Sequence, residues 1–200
     1  MASIASVLIE TPDTAAAERF YADAFGLDSE LGVRASDAPT SGFRGFTLSL
    51  VVAQPSIVDS LYGTALDGGA TAVKPASKSL WGYGGTLRDP FGVVWQIATS
   101  NKKNSGPETR DVDSVVFLLG AADILATRKF YEGRGFEVEK AYGRKYIEFK
   151  NPGSGVTLAL YNRKGLAKVA GVDPEGSGSH RIVLRGAGDF TDPDGFAWES

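Results

Sequence analysis

The sequence predicts an α+β protein made of two related βαβββ-type halves, in which curved mixed sheets enclose a cavity and the helices pack outside. Two matches between the halves support this prediction. Ser6–Ile9 resembles Ser114–Phe117, and a Phe-Tyr pair follows each of these strand-like segments. Asp89–Gln96 resembles Asp192–Glu199, and both contain an Asp-Pro-x-Gly turn that reverses the chain. Because the matches occur in the same order, they indicate a duplication.

A polar segment separates the two halves. Residues 99–111 contain Asn, Lys, Ser, Gly, Pro and Glu with almost nothing apolar, which is the composition of a linker. We therefore expect a first domain over residues 1–98, a linker over 99–111 and a second domain over 112–200. Within the halves, Phe46–Val52 aligns with Val156–Tyr161, since both alternate like strands and precede a helix-like stretch.

The periodicity of apolar residues assigns elements in the same order to each half. Asp13 is a candidate N-cap for the first helix, whose apolar residues recur at helical spacing as far as Phe25. Two strands flank the Asp-Pro-x-Gly turn in each half. The other predicted elements are the strands Val7–Glu10, Leu31–Ala35, Val115–Leu119 and Val138–Phe149, a helix beginning near Ile124, and the helices Ile57–Leu66 and Leu166–Val169.

Composition and charge exclude several classes of protein. The chain is 42% hydrophobic and 22% charged, which is ordinary for a globular protein that buries a core without disulfides. It has no cysteine, so thiol nucleophiles and cysteine-held zinc are excluded. The net charge of -3 argues against nucleic-acid binding, and no apolar run approaches the ~20 residues of a membrane span. Since the N-terminus also lacks a signal-peptide pattern, we expect a cytoplasmic protein.

Several motifs resemble those of the vicinal-oxygen-chelate superfamily, which contains glyoxalase I, bleomycin-resistance proteins and extradiol dioxygenases. They are Phe20-Tyr21 followed by Phe25-Gly26-Leu27, and the Gly-rich segment Trp81–Gly85 that runs into Asp89-Pro90-Phe91-Gly92 and Trp95. The resemblance covers nearly the whole chain except the linker. It implies βαβββ units whose curved sheets pair around a cavity, with metal ligands on the cavity face of three strands.

This chain lacks most of the metal ligands that the resemblance implies. The three ligand positions hold Ser6 or Ser114 on the first strand, Thr47 or Thr157 on a middle strand, and Gln96 or Glu199 on the closing strand. A divalent cation prefers three or four carboxylate or imidazole ligands, and Glu199 alone is of this kind. We therefore expect no metal and no other cofactor. The alternative is a divalent metal held by Glu199, Gln96 and water.

Alternation along the strands separates the expected core from the cavity lining. If Gln96 points inward, Trp95 points outward and packs beneath the helices, as does Trp198. The same parity assigns to the core Val7, Ile9, Leu48, Leu50, Val115, Phe117, Leu158 and Leu160. The expected lining is small and mostly neutral, and it comprises Ser6, Leu8, Glu10, Thr47, Ser49, Gln96, Ser114, Val116, Thr157, Ala159, Tyr161 and Glu199.

The candidate ligand-binding residues combine polar positions of this lining with aromatic residues. Trp81 and Tyr83 are candidates for an aromatic lid, and folding back onto the sheet is the alternative. Glu199 is the candidate catalytic residue, because a carboxylate buried without a cation has a raised pKa and acts as a general base; the alternative is an exposed terminal residue. The full set is Ser6, Thr47, Ser49, Trp81, Tyr83, Gln96, Ser114, Thr157, Tyr161 and Glu199.

Three other features have structural interpretations. His180 is the single histidine and lies just before a strand-like segment. This position favours a hydrogen-bonded structural role over proton transfer. Asp89 and Asp192 precede Pro in turns, where such side chains accept hydrogen bonds from nearby backbone amides. The glycines of Trp81–Gly85 do not form a phosphate loop, since no Lys-Ser or Lys-Thr follows them.

These observations predict a metal-free protein that binds a small aromatic or otherwise planar organic molecule in the sheet cavity. Two alternatives remain open. One is a metal-dependent lyase, isomerase or dioxygenase of the glyoxalase type, and the other is a metal-free isomerase or cyclase with Glu199 or His180 as base. The sequence leaves open whether the protein is an enzyme, and a homodimer is compatible with the architecture.

Overall fold

The computed structural model describes residues 1–27, 29–153 and 155–200. None of the helices in this part of the chain has both the length and the apolar character that a membrane crossing requires. The elements of the first half are β1 Ser6–Thr11, α1 Thr14–Phe25, β2 Leu31–Ala35, β3 Thr40–Gly42, β4 Phe46–Val51, α2 Pro55–Asp67, β5 Thr71–Ser79, β6 Gly82–Arg88 and β7 Val94–Thr99. Those of the second half are β8 Ser114–Ala121, α3 Ile124–Glu132, β9 Val138–Tyr142, β10 Tyr146–Phe149, β11 Val156–Asn162, α4 Arg163–Ala170, β12 Gly176–Gly178, β13 Ile182–Arg185, β14 Phe190–Thr191 and β15 Ala197–Glu199.

The strands form two mixed sheets, and each sheet combines strands from both halves of the chain. The larger sheet has eight strands in the order β5-β6-β7-β4-β8-β11-β10-β9, and the smaller sheet has five in the order β14-β15-β13-β1-β2. β3 and β12 form a short additional ladder. The halves therefore pair with each other within one chain. Each sheet contains strands from both predicted domains, so the sheets do not test where the domains begin and end. The division into residues 1–98, 99–111 and 112–200 therefore stays a prediction.

The smaller sheet is a shortened copy of the larger one. Each is built around an antiparallel pair, β4 with β8 or β13 with β1. A parallel strand flanks this pair on each side, namely β7 and β11 in the larger sheet, and β15 and β2 in the smaller one. An antiparallel strand follows outside, β6 or β14. In the described part of the chain, the smaller sheet has no counterparts of β5, β9 and β10.

This topology corrects one expected equivalence between the halves. β4 occupies the place of β13, and β11 occupies the place of β2, so Phe46–Val52 and Val156–Tyr161 are not equivalent strands. Both alternate and both precede a helix, but these local features are shared by strands at different places in a sheet. The prediction failed because local periodicity carries no information about the neighbouring strand.

Side chains alternate between the two sheet faces as the sequence predicts. The expected core residues are all buried, as are Trp95 and Trp198. The helices α1, α2 and α3 bury their apolar residues on this face, and the core is continuous between the two sheets. The fold class is confirmed: the chain is α+β, with mixed sheets and with α1, α2 and α3 packed outside them.

Most element bounds agree with the sequence prediction, with one exception. Asp13 caps α1 as expected, and its carboxylate accepts a hydrogen bond from the Ala16 amide at 3.0 Å. The segment Val138–Phe149, expected as one strand, is the antiparallel hairpin of β9 and β10. Gly143 in the connecting turn has a φ of 60°, a left-handed conformation that allows the chain to reverse there.

A buried aspartate anchors α1 to the turn between β6 and β7. Asp89 accepts hydrogen bonds from the Tyr21 hydroxyl at 2.7 Å and from Trp95 Nε1 at 2.9 Å. It also accepts bonds from the amides of Phe91 and Val93, both at 2.9 Å. Burial raises the pKa of Asp89, and these donors oppose the rise. The turn role expected for Asp89 is confirmed, and the same carboxylate also holds the helix.

The second half repeats this arrangement. Asp192 accepts bonds from the Tyr131 hydroxyl of α3 at 2.5 Å and from the amides of Asp194 and Phe196. Trp198 differs from Trp95, because its Nε1 donates to the Tyr131 hydroxyl at 3.2 Å. Each half therefore fixes its first helix to its closing turn through a buried carboxylate.

Asp89→Asn should lower the free energy of unfolding by about 2 kcal/mol, because the new amide group faces the N–H donor of Trp95. Urea denaturation measures this change. Asp67→Asn, at the exposed end of α2, is the control, and we expect it to stay within about 0.5 kcal/mol of the parent. Equal effects of the two substitutions would contradict the anchoring role.

Candidate functional site

The concave face of the larger sheet, opposite α1, α2 and α3, holds most of the candidate residues. They alternate with the core positions along β4, β7, β8 and β11, and they are Thr47, Ser49, Gln96, Ser114, Thr157 and Tyr161. Ser6 and Glu199 lie on the smaller sheet instead. The structure therefore divides the candidate set between two surfaces of different chemistry.

A line of cross-strand neighbours crosses the middle of the concave face. Thr86 lies opposite Gln96, and Gln96 lies opposite Ser49. Ser49 lies opposite Val116, which in turn lies opposite Thr157. We call these five residues the central row. No member carries a charge, so the row offers hydroxyl and amide groups for hydrogen bonding without a formal charge.

Gln96 is the central-row residue best oriented for a ligand. Its Nε2 donates to Thr47 Oγ1 at 2.9 Å, and Thr47 is fully buried. Gln96 itself is half-buried, and its Oε1 accepts no hydrogen bond from the residues that the structure describes. Thr47 therefore fixes the amide group and leaves its oxygen available as an acceptor.

The donors at the expected metal positions do not fit a divalent cation. Thr47, Gln96, Ser114 and Thr157 supply hydroxyl and amide groups, which replace a cation's hydration shell less well than carboxylate or imidazole groups. Thr47 and Gln96 also bond to each other. Across residues 1–27, 29–153 and 155–200, no three His, Cys, Asp or Glu side chains are grouped so that they could hold an ion.

A cavity of about 270 Å³ adjoins Gln96 at one end of the central row. Its walls include Thr86, Ala98, Trp81 and Lys74. Trp81 lies in the turn between β5 and β6, where 84% of its surface is exposed. The volume lies just below the range of about 300–1,000 Å³ for small-molecule sites, so a ligand of one or two rings fits it.

Tyr83 borders this cavity, but its hydroxyl is turned towards the helices. It donates to Asp59 Oδ1 on α2 at 2.6 Å. This bond, together with burial, raises the pKa of Tyr83 to about 12. Of the two interpretations of the aromatic pair, Tyr83 fits folding back onto the sheet, and Trp81 remains the candidate lid.

Helix α4 covers the part of the concave face beside the central row. Its Leu166 and Ala167 pack against Leu118 and Ala159 in a small apolar cluster separate from the main core. This helix is the exception to the expected arrangement of helices outside the sheets. α4 follows β11, whereas α2 follows β4, and these two strands occupy different places in the larger sheet.

Glu199 is held in an ion pair that sequence reasoning missed. Arg34 donates to its two carboxylate oxygens at 2.7 and 2.6 Å. The side chain of Glu199 is 41% exposed, and the bonds from Arg34 lower its pKa. The condition for a general base, a carboxylate buried without a cation, is therefore not met. No local signal marks Arg34, because the contact depends on the curvature of a sheet in which β13 and β1 separate β2 from β15.

His180 joins the two halves through backbone carbonyls. Its Nδ1 lies 2.6 Å from the carbonyl oxygen of Arg44, and its Nε2 lies 3.1 Å from that of Asp194. The imidazole also stacks on Phe196 with 3.9 Å between ring centroids. The hydrogen-bonded structural role expected for this histidine is confirmed by these contacts.

Arg34→Met should raise the pKa of Glu199 towards the value of about 4.3 that is usual for glutamate. In the parent, the lowered pKa means that the ion pair stabilises the fold above that value and stops doing so as the pH falls through the lowered pKa. Carboxyl carbon NMR titration measures the change. Arg128→Met, which removes the pair with Glu132 on α3, is the control. An unchanged Glu199 titration in Arg34→Met would show that the pair does not form in solution.

Comparisons with known proteins identify the class of fold. No protein-family model matches the chain, and no curated protein matches its sequence. Glyoxalase I from Zea mays aligns over 99% of this chain and 91% of its own, with a TM-score of 0.61 and 13% identity. A putative dioxygenase from Bacillus subtilis aligns over 96% of this chain and 71% of its own, with a TM-score of 0.59 and 12% identity. A glyoxalase/bleomycin resistance protein/dioxygenase family enzyme from Burkholderia phytofirmans PsJN shares 26% identity over 50% of this chain and 99% of its own, with a TM-score of 0.46.

The two alignments that span nearly the whole chain show the fold. The protein has the fold of glyoxalase I and of the putative dioxygenase. The fold that the sequence motifs imply is therefore confirmed. Similarity of fold does not define the chemistry of the site, which depends on the side chains present in this chain.

Proposed function

We propose that this protein binds a small, uncharged, planar organic molecule in the cavity beside Gln96, without a metal ion. The central row is the main observation that supports this proposal. It places neutral hydrogen-bonding groups where the superfamily resemblance implies metal ligands, and it ends at a cavity of about 270 Å³. Small-molecule sites combine apolar walls with a few fixed polar groups, and this cavity has both.

The residues around the cavity define the ligand that fits. The Gln96 oxygen accepts a hydrogen bond from an N–H or O–H group at the ligand edge. Trp81 offers an exposed indole face for stacking, and stacking favours a planar and preferably aromatic ring. A charged ligand is disfavoured, because the central row supplies no opposite charge to offset the cost of removing an ion from water. The charged side chain in the cavity wall, Lys74, is directed to the carbonyl oxygens of Lys168 and Val169.

Binding rather than catalysis is the function that this geometry supports. The candidate base Glu199 lies on the smaller sheet and is neutralised by Arg34. The polar groups of the central row are hydroxyls and an amide, which do not exchange protons readily near neutral pH. Lys74 also lines the cavity, but its ammonium group donates to the carbonyl oxygens of Lys168 and Val169. The protein is therefore proposed as a binding protein with the glyoxalase fold.

Fluorescence titration against a library of aromatic metabolites and antibiotics tests the proposal, with Trp81 as reporter. Trp95 and Trp198 are buried, so quenching by a ligand in the cavity should be lost in Trp81→Phe. Gln96→Ala should weaken the affinity about tenfold, since it removes one oriented hydrogen bond in a partly buried site.

Ser100→Ala, at an exposed position just beyond β7, is the matched control and should leave the affinity unchanged. Two results contradict the proposal. One is the absence of any compound that binds below millimolar concentration, and the other is an affinity that Gln96→Ala does not alter.

A further inference from the structure

Helix α4 rests on an apolar surface that is independent of the main core. Of its eight residues, Leu166, Ala167 and Ala170 are buried. The surface beneath them is apolar and aromatic, and it consists of Phe43, Val116, Leu118, Tyr146, Ala159 and Tyr161. A helix this short is not stable alone in water, so α4 depends on this packing and on the bonds at its ends.

The C-terminal end of α4 is held by one lysine from the opposite wall of the concave face. Lys74 Nζ on β5 donates to the carbonyl oxygens of Val169 at 2.6 Å and Lys168 at 3.2 Å. The last carbonyls of a helix lack partners within it and carry the negative end of its dipole, so an ammonium group stabilises them.

Three features of the local structure position Lys74 for this contact. β5 has irregular register on both sides of Lys74, and such bulges redirect a side chain out of the regular alternation. The Tyr62 hydroxyl fixes the local backbone by donating to the Lys74 carbonyl at 3.0 Å. Gly171, just after α4, lies so close to the lysine stem that a Cβ there would be 2.6 Å from Lys74 Cε.

The smaller sheet shows that the fold does not need such a helix. Its strand β2 occupies the place of β11, yet the chain after β2 continues through residues 36–39 without a helix. The helix on the larger sheet is therefore an addition to the shared architecture rather than a part of it.

We propose that α4 is a removable cover over a second binding surface, and that Lys74 is its latch. The covered surface takes the apolar aromatic part of a ligand too large for the open cavity. It is continuous with the central row, because Val116 belongs to both. Tyr146 and Tyr161 supply two rings with centroids 5.1 Å apart, a geometry suited to edge or face contacts with a further ring. This proposal rests on the proposed function, since it extends the same site.

Opening of α4 is measured by the reaction of a single introduced thiol, because the chain has no cysteine. Ala167→Cys places the thiol beneath α4, and its rate of labelling by a soluble disulfide reagent reports how often the helix lifts. Adding Lys74→Met should raise this rate about fivefold, and adding Lys74→Arg should leave it near the parent rate, since arginine also donates to the carbonyls.

Ala65→Cys is the matched control, because Ala65 is an equally buried alanine in α2 on the opposite face. Its labelling should not change with Lys74→Met. Faster labelling at both sites would reveal general loosening and overturn the proposal, as would an unchanged rate at Ala167→Cys.

The aromatic dye ANS probes the covered surface in the cysteine-free chain. Lys74→Met should increase dye binding at least threefold over the parent, and the dye should slow closure of α4 by occupying its place. Dye binding that does not rise in Lys74→Met would overturn the second binding surface. Gln96→Ala should not affect these readouts, so failure of the cover and failure of the Gln96 cavity are distinguishable.

Discussion

The antiparallel pairing of β4 with β8 determines which residues of the larger sheet lie together on its concave face. Its register runs from Phe46 opposite Leu119 to Val51 opposite Ser114, and it joins the first half of the chain to the second. Because successive side chains point to opposite faces, this one register sends Ser49 and Val116 to the concave side together. β7 and β11 then add outward in parallel, and β6 adds antiparallel to β7, which completes the central row. A slip of one residue would send these groups into the core.

The two sheets share a topology but differ in the chemistry of their open faces. The larger sheet has the uncharged central row and the helix α4. The smaller sheet has the Arg34–Glu199 ion pair, and a flat sheet would place their strands about 14 Å apart. The pair therefore spans a strongly curved surface. The larger sheet thus presents neutral polar groups on its open face, whereas the open face of the smaller sheet carries a paired acid and base.

The sequence was informative where structure depends on neighbours along the chain. Alternation identified the core positions, and Asp13, Asp89 and Asp192 have the local roles that their positions indicate. Contacts between distant segments could not be predicted. The different places of β4 and β11, the partner of Glu199 and the inward position of α4 all depend on which strands become neighbours. A single sequence does not encode strand order in any local pattern. Nothing in the sequence around Lys74 distinguishes it from an ordinary exposed lysine, because its role depends on the position of α4.

The concave face of the larger sheet presents neutral hydroxyl and amide groups where the sequence resemblance implies metal ligands. The most direct measurement is the metal content of the protein. The protein is purified without chelator, incubated with nickel, zinc, manganese and iron salts, and passed through gel filtration. Elemental mass spectrometry then gives the amount of each metal per chain. We expect far less than one equivalent of any of these metals per chain. One equivalent of a single metal, retained through gel filtration and lost in Gln96→Ala, would contradict it.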